Sequence, residues 1–324
     1  MADVTPTRLL TFGSDDETRN DGKLQIEIVG GARAIRSDPY DRFSPALFDR
    51  LASADVVHCH QIHATATTMA AEFCRRTGKR VFVTDLGGGP GSGVARANDD
   101  LFDAHLHISR FSQNLWRDST TRSVLISGGV DADRFSPADH PPAEFRVIFV
   151  GRILPHKGVD VLIDALPDDI HLDIIGRAYD PQYFDDLKRL SANKRVSFVT
   201  DLADDALPDA YRQASCVVLP SVYRTMYGRE SFAPELLGQT LLEGMATGIP
   251  AICSDVGAMP EVVINAVTGF VVSGANSKAL REKLIWLRDN PEAANEMGTR
   301  ARQHAIRNFS WTSVVSRCLR EYEA

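Results

Sequence analysis

Short runs rich in Val, Ile, Leu and Phe alternate with segments of helical period along most of this chain, and few folds accept that pattern. Ala54–His60 (A-D-V-V-H-C-H), Arg80–Asp85 (R-V-F-V-T-D), Arg146–Gly151, Leu172–Arg177, Cys216–Pro220 and Pro250–Ser254 are too short for stable helices and offer apolar side chains to both faces of a strand. Between them lie helical segments, among them Thr65–Arg76, Gly158–Leu166, Tyr183–Leu190, Leu207–Ala214 and the run that Glu235 precedes and Gly248 ends. Strands covered on both faces and joined by helices make a parallel sheet, so the fold class is α/β.

The pattern stops once. G-G-V-D-A-D-R-F-S-P-A-D-H-P-P-A-E, residues 128–144, is rich in proline and charge and reads as a linker, after which the alternation restarts. The expectation is two doubly wound, Rossmann-like domains, 1–140 and 141–308, followed by residues 309–324. A cleft between them, at the carboxyl ends of their strands, is where such an architecture places a nucleotide. In the first domain, residues 7–13 and 24–29 read as further strands, and the polar S-D-D-E-T-R-N-D-G between them as a turn or loop. Ser44-Pro45 opens a helix carrying Leu47, Phe48 and Leu51, and Ser109 caps another. Helices at Pro260–Ile264, Ser277–Arg288 and Pro291–Arg307 close the second domain.

Composition removes several classes of function. A net charge of -7 excludes a general nucleic-acid binder held by phosphate neutralisation. Five cysteines, odd in number and without a C-x-x-C pair, fit neither a disulfide framework nor a zinc site, and suit a reducing cytoplasm. The N-terminus has no apolar core of a signal peptide and no stretch has the length of a membrane span. Contact with a membrane surface stays open.

One stretch concentrates chemistry: E-L-L-G-Q-T-L-L-E-G-M-A-T-G-I-P, Glu235–Pro250. Leu237, Leu241 and Met245 form an apolar stripe, and Glu235 and Glu243 stand eight residues apart, up to roughly 12 Å at helical rise. The helix start between them, at Leu236 and Leu237, offers N–H groups and partial positive charge to an anion. The plain alternative is a solvated Glu243 and an N-terminal charge at Glu235. Arg152 and Lys157, in G-R-I-L-P-H-K-G just past the first strand of the second domain, suit a diphosphate clamp; surface charges on a loop are the alternative. Base readout by backbone groups falls near Val199 and Thr200.

Weaker signals lie in the first domain. His58 and His60 share one side of a strand and His63 follows its end, yet no further ligands complete a metal site, so buried or cleft-lining histidines are favoured. D-L-G-G-G-P-G-S-G brings bare backbone but does not fit G-x-G-x-x-G, and a plain connection suits it equally. Asp85 is either an acid–base group or a turn former.

With these residues in place, the chain resembles the retaining glycosyltransferase family 4, of the two-domain GT-B architecture. G-R-I-L-P-H-K-G is similar to that family's G-R-x-x-x-x-K-G loop, and Glu235–Ala251 to its E-x7-E segment. I-S-G-G-V-D-A-D-R-F is similar to its P-N-G-V-D-x-x-x-F linker, D-V-V-H-C-H to an N-domain strand, and F-S-W at Trp311 to a helix that crosses back to the N-terminal domain. The resemblance implies a hexosyltransferase that takes a nucleotide-diphosphate sugar as donor, needs no metal and acts on a glycan, lipid-linked or small-molecule acceptor. It implies that Arg152 and Lys157 hold the diphosphate, Glu243 the ribose hydroxyls and Glu235 the transferred sugar. Two departures matter. The family's first strand, glycine loop and helix are absent, so the N-terminal domain is expected to be shortened, and Asp85 or Leu86 stands where the family has a histidine. A shortened nucleotide-sugar-binding accessory protein, or a GT-B epimerase, are the alternatives these departures leave.

Overall fold

In the computed structural model, which describes residues 1–35, 38–87, 97–140 and 142–324, the chain divides into two units. The first comprises Met1–Ile108, Ser112–Ile126 and Val315–Ala324; the second comprises Ser109–Phe111 and Ser127–Val314.

In the first unit, β1 (Arg8–Phe12), β2 (Glu17–Asp21) and β3 (Leu24–Val29) form a sheet in the order β1-β3-β2, with β1 parallel and β2 antiparallel to β3. The segment expected to be a loop therefore contains a strand. Every side chain of E-T-R-N-D is exposed, so the strand has no apolar alternation to announce it and is held by backbone pairing to β3. Its signal was the Asp21-Gly22 pair, a hairpin dipeptide. A second hairpin, β4 (Arg33–Ile35) with β5 (Asp38–Phe43), follows. Then β6 (Val56–His60), β7 (Arg80–Thr84), β8 (Ala104–His107) and β9 (Ser123–Leu125) lie side by side in chain order, all parallel.

The core between sheet and helices joins Val57, Cys59, Val81 and Val83 to Leu47, Leu51, Ala70, Ala71 and Cys74, with Leu10 and Phe12 of β1 packed against it. The end of the helix Trp311–Glu323 completes this unit. Arg80 donates to the Tyr322 carbonyl at 3.0 Å and Arg317 to the Ile126 carbonyl at 2.9 Å. His58 is clamped, its Nδ1 2.6 Å from the Tyr322 hydroxyl and its Nε2 2.8 Å from Thr84 Oγ1.

The second unit is a six-stranded parallel sheet made of β10 (Arg146–Val150), β11 (His171–Ile175), β12 (Val196–Val199), β13 (Cys216–Leu219), β14 (Ala251–Ser254) and β15 (Gly269–Val272). Its order is β12-β11-β10-β13-β14-β15. The first three strands run outward from β10, and the next three run the other way from β13. The order therefore reverses between β10 and β13, and the loops beyond their carboxyl ends open a crevice there. β15, the four-residue run G-F-V-V, is a strand that the sequence reading did not include; it is a nearly buried edge strand on β14. The 128–144 segment is tied down in part: Asp131 Oδ1 accepts from the Asp133 and Arg134 N–H groups, Phe135 is buried, and Val130 pairs with Ser310. No helix among the described residues is long and apolar enough to cross a membrane.

Candidate functional site

The crevice of the second unit is built from the residues just past β10, β13 and β14. After β10 the chain makes a short turn of 3-10 helix, Pro155–Lys157, and enters the helix Val159–Ala165 through Gly158. Gly158 has φ +67°, and a Cβ there would stand 2.1 Å from the Pro220 carbonyl oxygen. No side chain fits, so the two loops close on one another. Gly158→Ala is expected to cost about 2 kcal/mol or more, because both the left-handed backbone and the contact with main chain oppose it. A thermal melt should show Tm falling by roughly 4–8 °C; an unchanged Tm would mean the loops do not approach as described.

Close approach puts Lys157 against Glu235. The Lys157 ammonium pairs with Glu235 Oε1, and both side chains are nearly buried, at 12% and 9% exposure. The Ser221 hydroxyl, wholly buried after β13, donates to the same oxygen at 2.8 Å. Ser254 on β14 donates in turn to the Ser221 carbonyl at 2.5 Å. The Glu235 backbone is fixed as well: its carbonyl accepts from Ala258 N–H at 3.1 Å, and Gly257 lies so close that a Cβ would be 2.2 Å from that oxygen. Glu235 is thus a buried, paired carboxylate rather than a surface charge.

Arg152 is exposed and makes no side-chain hydrogen bond or ion pair among the described residues. Its charge and that of Lys157 act on His156. Burial first, then these two cations, hold the His156 imidazole down to about 4 against the opposing pull of Glu235, so it is neutral at pH 7.

The helix of the E-x7-E stretch begins only at Gln239, after Gly238 in the left-handed region, and ends at Ala246. Leu241, Leu242, Met245 and Ala246 bury its inner face. Because 235–238 is not helical, the helical rise applies only to the second half of the interval between the two glutamates. Leu236 and Leu237 are buried by their side chains, and no protein acceptor among the described residues takes the N–H of Leu236, Leu237 or Gly238. Those donors and the first turn of the helix offer partial positive charge beside Glu235.

Glu243 is half-buried, and its Oε2 accepts from the buried Tyr211 hydroxyl at 2.9 Å. Burial raises the pKa of its carboxyl, while the Tyr211 hydroxyl and the Arg134 charge oppose that rise. It is no solvated helix residue. Val199 ends β12, and its carbonyl already accepts from Gly176 N–H at 2.9 Å, while Thr200 beside it is exposed.

The first unit holds Asp85, the remaining candidate. Its side chain is largely buried, Oδ1 accepts from Gly87 N–H at 3.3 Å, and the same oxygen is 3.8 Å from His63 Nε2. The Gly87 bond is local, as in a turn, and His63 lies on the same oxygen. Leu86 is exposed. The rings of His58 and His60 stack 4.7 Å apart, as their shared side of the strand requires. Among the described residues no group of three or more His, Cys, Asp and Glu could hold a metal ion. The glycine loop from Gly88 to Gly93 lies outside the described residues.

Sequence reasoning missed Ser221, His156 and Tyr211. Ser221 directly follows Pro220 at a strand end, where polar residues gather in a crevice, but nothing in its spacing ties it to Glu235. Tyr211 sits on a different helix from the carboxylate it serves.

A family model described as Glycosyl transferases group 1 matches residues 132–304, more than half the chain and all within the unit that holds Lys157, Glu235 and Glu243. The phosphatidyl-myo-inositol mannosyltransferase of Mycobacterium leprae is 29% identical, with 94% of this chain and 85% of the relative aligned. The D-inositol 3-phosphate glycosyltransferase of Corynebacterium glutamicum is 31% identical over 60% of this chain and 50% of its own length. Among solved structures, the sucrose-phosphate synthase of Thermosynechococcus elongatus superposes with a TM-score of 0.75 at 20% identity, covering 98% of this chain and 88% of that one. A glycosyltransferase of Rickettsia africae also gives 0.75 at 20% identity, covering 92% and 84%. These likenesses give the fold, two Rossmann-like units of the GT-B class. With the family model lying over the unit that carries the buried lysine–glutamate pair, the chain belongs to the glycosyl transferases group 1 family and is a glycosyltransferase.

Proposed function

We propose that this enzyme is a retaining glycosyltransferase of family 4 that moves a hexosyl group from a nucleotide-diphosphate sugar to an acceptor carrying a phosphoinositol group. The observation that carries the donor half is the Lys157–Glu235–Ser221 cluster at the switch point between β10 and β13. The acceptor class comes from the names of the relatives. Residues 141–308 act as the donor domain, 1–140 as the acceptor-side domain and 309–324 as the returning helix. The shortened N-terminal domain that the resemblance implies belongs to the same proposal.

Lys157 and the exposed Arg152 take the donor diphosphate, assisted by the N–H groups from Leu236 to Gly238. Glu243 accepts from the ribose hydroxyls, the backbone at Val199 and Thr200 lies against the base, and Glu235 orients the sugar. In the transfer step the bond from the sugar's anomeric carbon to the β-phosphate oxygen breaks, and a bond to the acceptor hydroxyl oxygen forms on the same face. The acceptor proton passes to the departing phosphate. Charge grows on that phosphate, and the Lys157 and Arg152 cations that hold the diphosphate stabilise it. Asp85, beside His63 at the end of β7, belongs to the acceptor side of this proposal.

The test is incubation with GDP-mannose, UDP-glucose and UDP-N-acetylglucosamine, each with phosphatidylinositol or inositol 3-phosphate. Released nucleoside diphosphate is followed, and the product anomer is assigned by NMR. An α product from an α donor is expected. A β product would end the retaining assignment, and nucleotide binding without turnover on either acceptor would end the acceptor class. A second variant examines the ribose contact. Tyr211→Phe removes the donor that orients Glu243 and is expected to raise the donor KM about 3- to 10-fold with little change in kcat, the range of one lost hydrogen bond. A change confined to kcat would place Glu243 elsewhere in the reaction.

A further inference from the structure

Glu235 Oε1 has two partners at once, the Lys157 ammonium and the Ser221 hydroxyl. If Lys157 is the donor's phosphate ligand, a premise that rests on the function proposed above, its charge is already engaged when the donor arrives. A diphosphate must therefore compete with a buried carboxylate for the same ammonium group. Glu235 cannot follow the lysine, because its backbone carbonyl is held by Ala258 N–H and packed against Gly257, and its carboxylate is held by a serine with no exposed surface.

We propose that the Lys157–Glu235 pair is a charge exchange, broken by the donor diphosphate, and that Ser221 is the positioning residue that keeps the released carboxylate in place to accept from the sugar. In the free enzyme the lysine is masked. On binding, the ammonium moves from carboxylate to phosphate, Oε1 keeps the serine hydroxyl, and Oε2 accepts from a hydroxyl of the sugar. The serine has a double effect: it lowers the advantage Glu235 gains by holding the lysine, and it fixes the carboxylate for transfer. Ser254, through the Ser221 carbonyl, ties that serine to β14.

The experiment measures GDP and UDP affinity by titration calorimetry for the wild type, Glu235→Gln, Ser221→Ala and Lys157→Met, and for each of the first two changes in the Lys157→Met background, with circular dichroism to verify folding. Glu235→Gln is expected to bind nucleotide about 5- to 20-fold more tightly than wild type while losing transfer. Ser221→Ala is expected to bind about 3- to 10-fold more weakly, because its carboxylate depends on the lysine alone. Both effects should vanish in the Lys157→Met background, as contacting partners in one network couple. Simple repulsion between Glu235 and phosphate would persist without the lysine, and a merely structural serine would weaken binding in both backgrounds; either result overturns the exchange. A failure of both nucleotides to bind wild type and Glu235→Gln alike would instead overturn the donor assignment beneath it.

Discussion

Lys157→Met should lower kcat/KM by roughly 10²- to 10³-fold, the effect of losing one preorganised donor to developing charge, while the protein still folds. Lys157 lies at the switch point and contacts the nearly buried Glu235. Removing only the lysine leaves a desolvated carboxylate with Ser221 as its remaining described side-chain partner, which costs about 3–5 kcal/mol in comparable buried pairs. Glu235→Gln is milder for stability, because the lysine can turn its long stem toward water. The double variant Lys157→Met with Glu235→Gln should recover most of the lost stability and none of the activity. Thermal melts and steady-state kinetics on the four proteins separate the two effects. Equal melting temperatures for Lys157→Met and the double variant would show that the pair is not buried together. Activity within threefold of wild type would remove Lys157 from the site.

Acid should unfold this protein early. Among the histidines held neutral inside it are two of the first unit: burial, with the neighbouring His60, takes His58 down to about 3, and burial, with His105, takes His107 down to about 4. In the unfolded chain both titrate near 6.5. A folded pKa below the unfolded one means that the unfolded state binds the proton first. The stability from these groups is therefore complete above pH 6.5 and is lost as pH falls toward 4 and 3. Each group costs about 1.4 kcal/mol per pH unit within that window, so the two together remove about 3 kcal/mol per unit between pH 6 and 4.5. Against a total of ~5–15 kcal/mol, that is enough to approach unfolding in this range. Urea midpoints at pH 7.5, 6.5, 5.5 and 5.0 should fall steadily below 6.5, and His107→Gln should flatten the slope by about one proton. A midpoint that does not move between pH 7.5 and 5.0 would contradict the burial of both rings.

Both observations sort what the amino-acid sequence discloses from what it hides. The parallel sheets were legible because each central strand is apolar on both faces, as in R-V-I-F-V and C-V-V-L, and must be covered on both. β2 was hidden, since a strand with every side chain in water has no pattern, only backbone pairing. The lysine and the two glutamates were legible through spacing within one loop and one stretch that leads into a helix. Their roles as buried partners were not, because the groups that bury them come from elsewhere: Ser221 from the end of β13, Tyr211 from another helix. Asp85 was balanced between two readings by sequence, and the structure shows the local bond to Gly87 that a turn-forming aspartate makes.

The helix Trp311–Glu323 has a consequence for the order in which the protein is made. Its last turns belong to the first unit, where Tyr322 meets His58, Arg80 holds the Tyr322 carbonyl and Arg122 meets Glu321 at 2.5 Å. On a ribosome the strands bearing His58 and Arg80 emerge more than two hundred residues before those partners. At about 5–20 residues per second, the first unit waits at least ten seconds or so with its clamp unfilled. The second unit, complete by Val314, can finish first although it is synthesised second. Nascent chains arrested before Arg317 should therefore carry a protease-resistant second unit beside a first unit that is still open to cleavage.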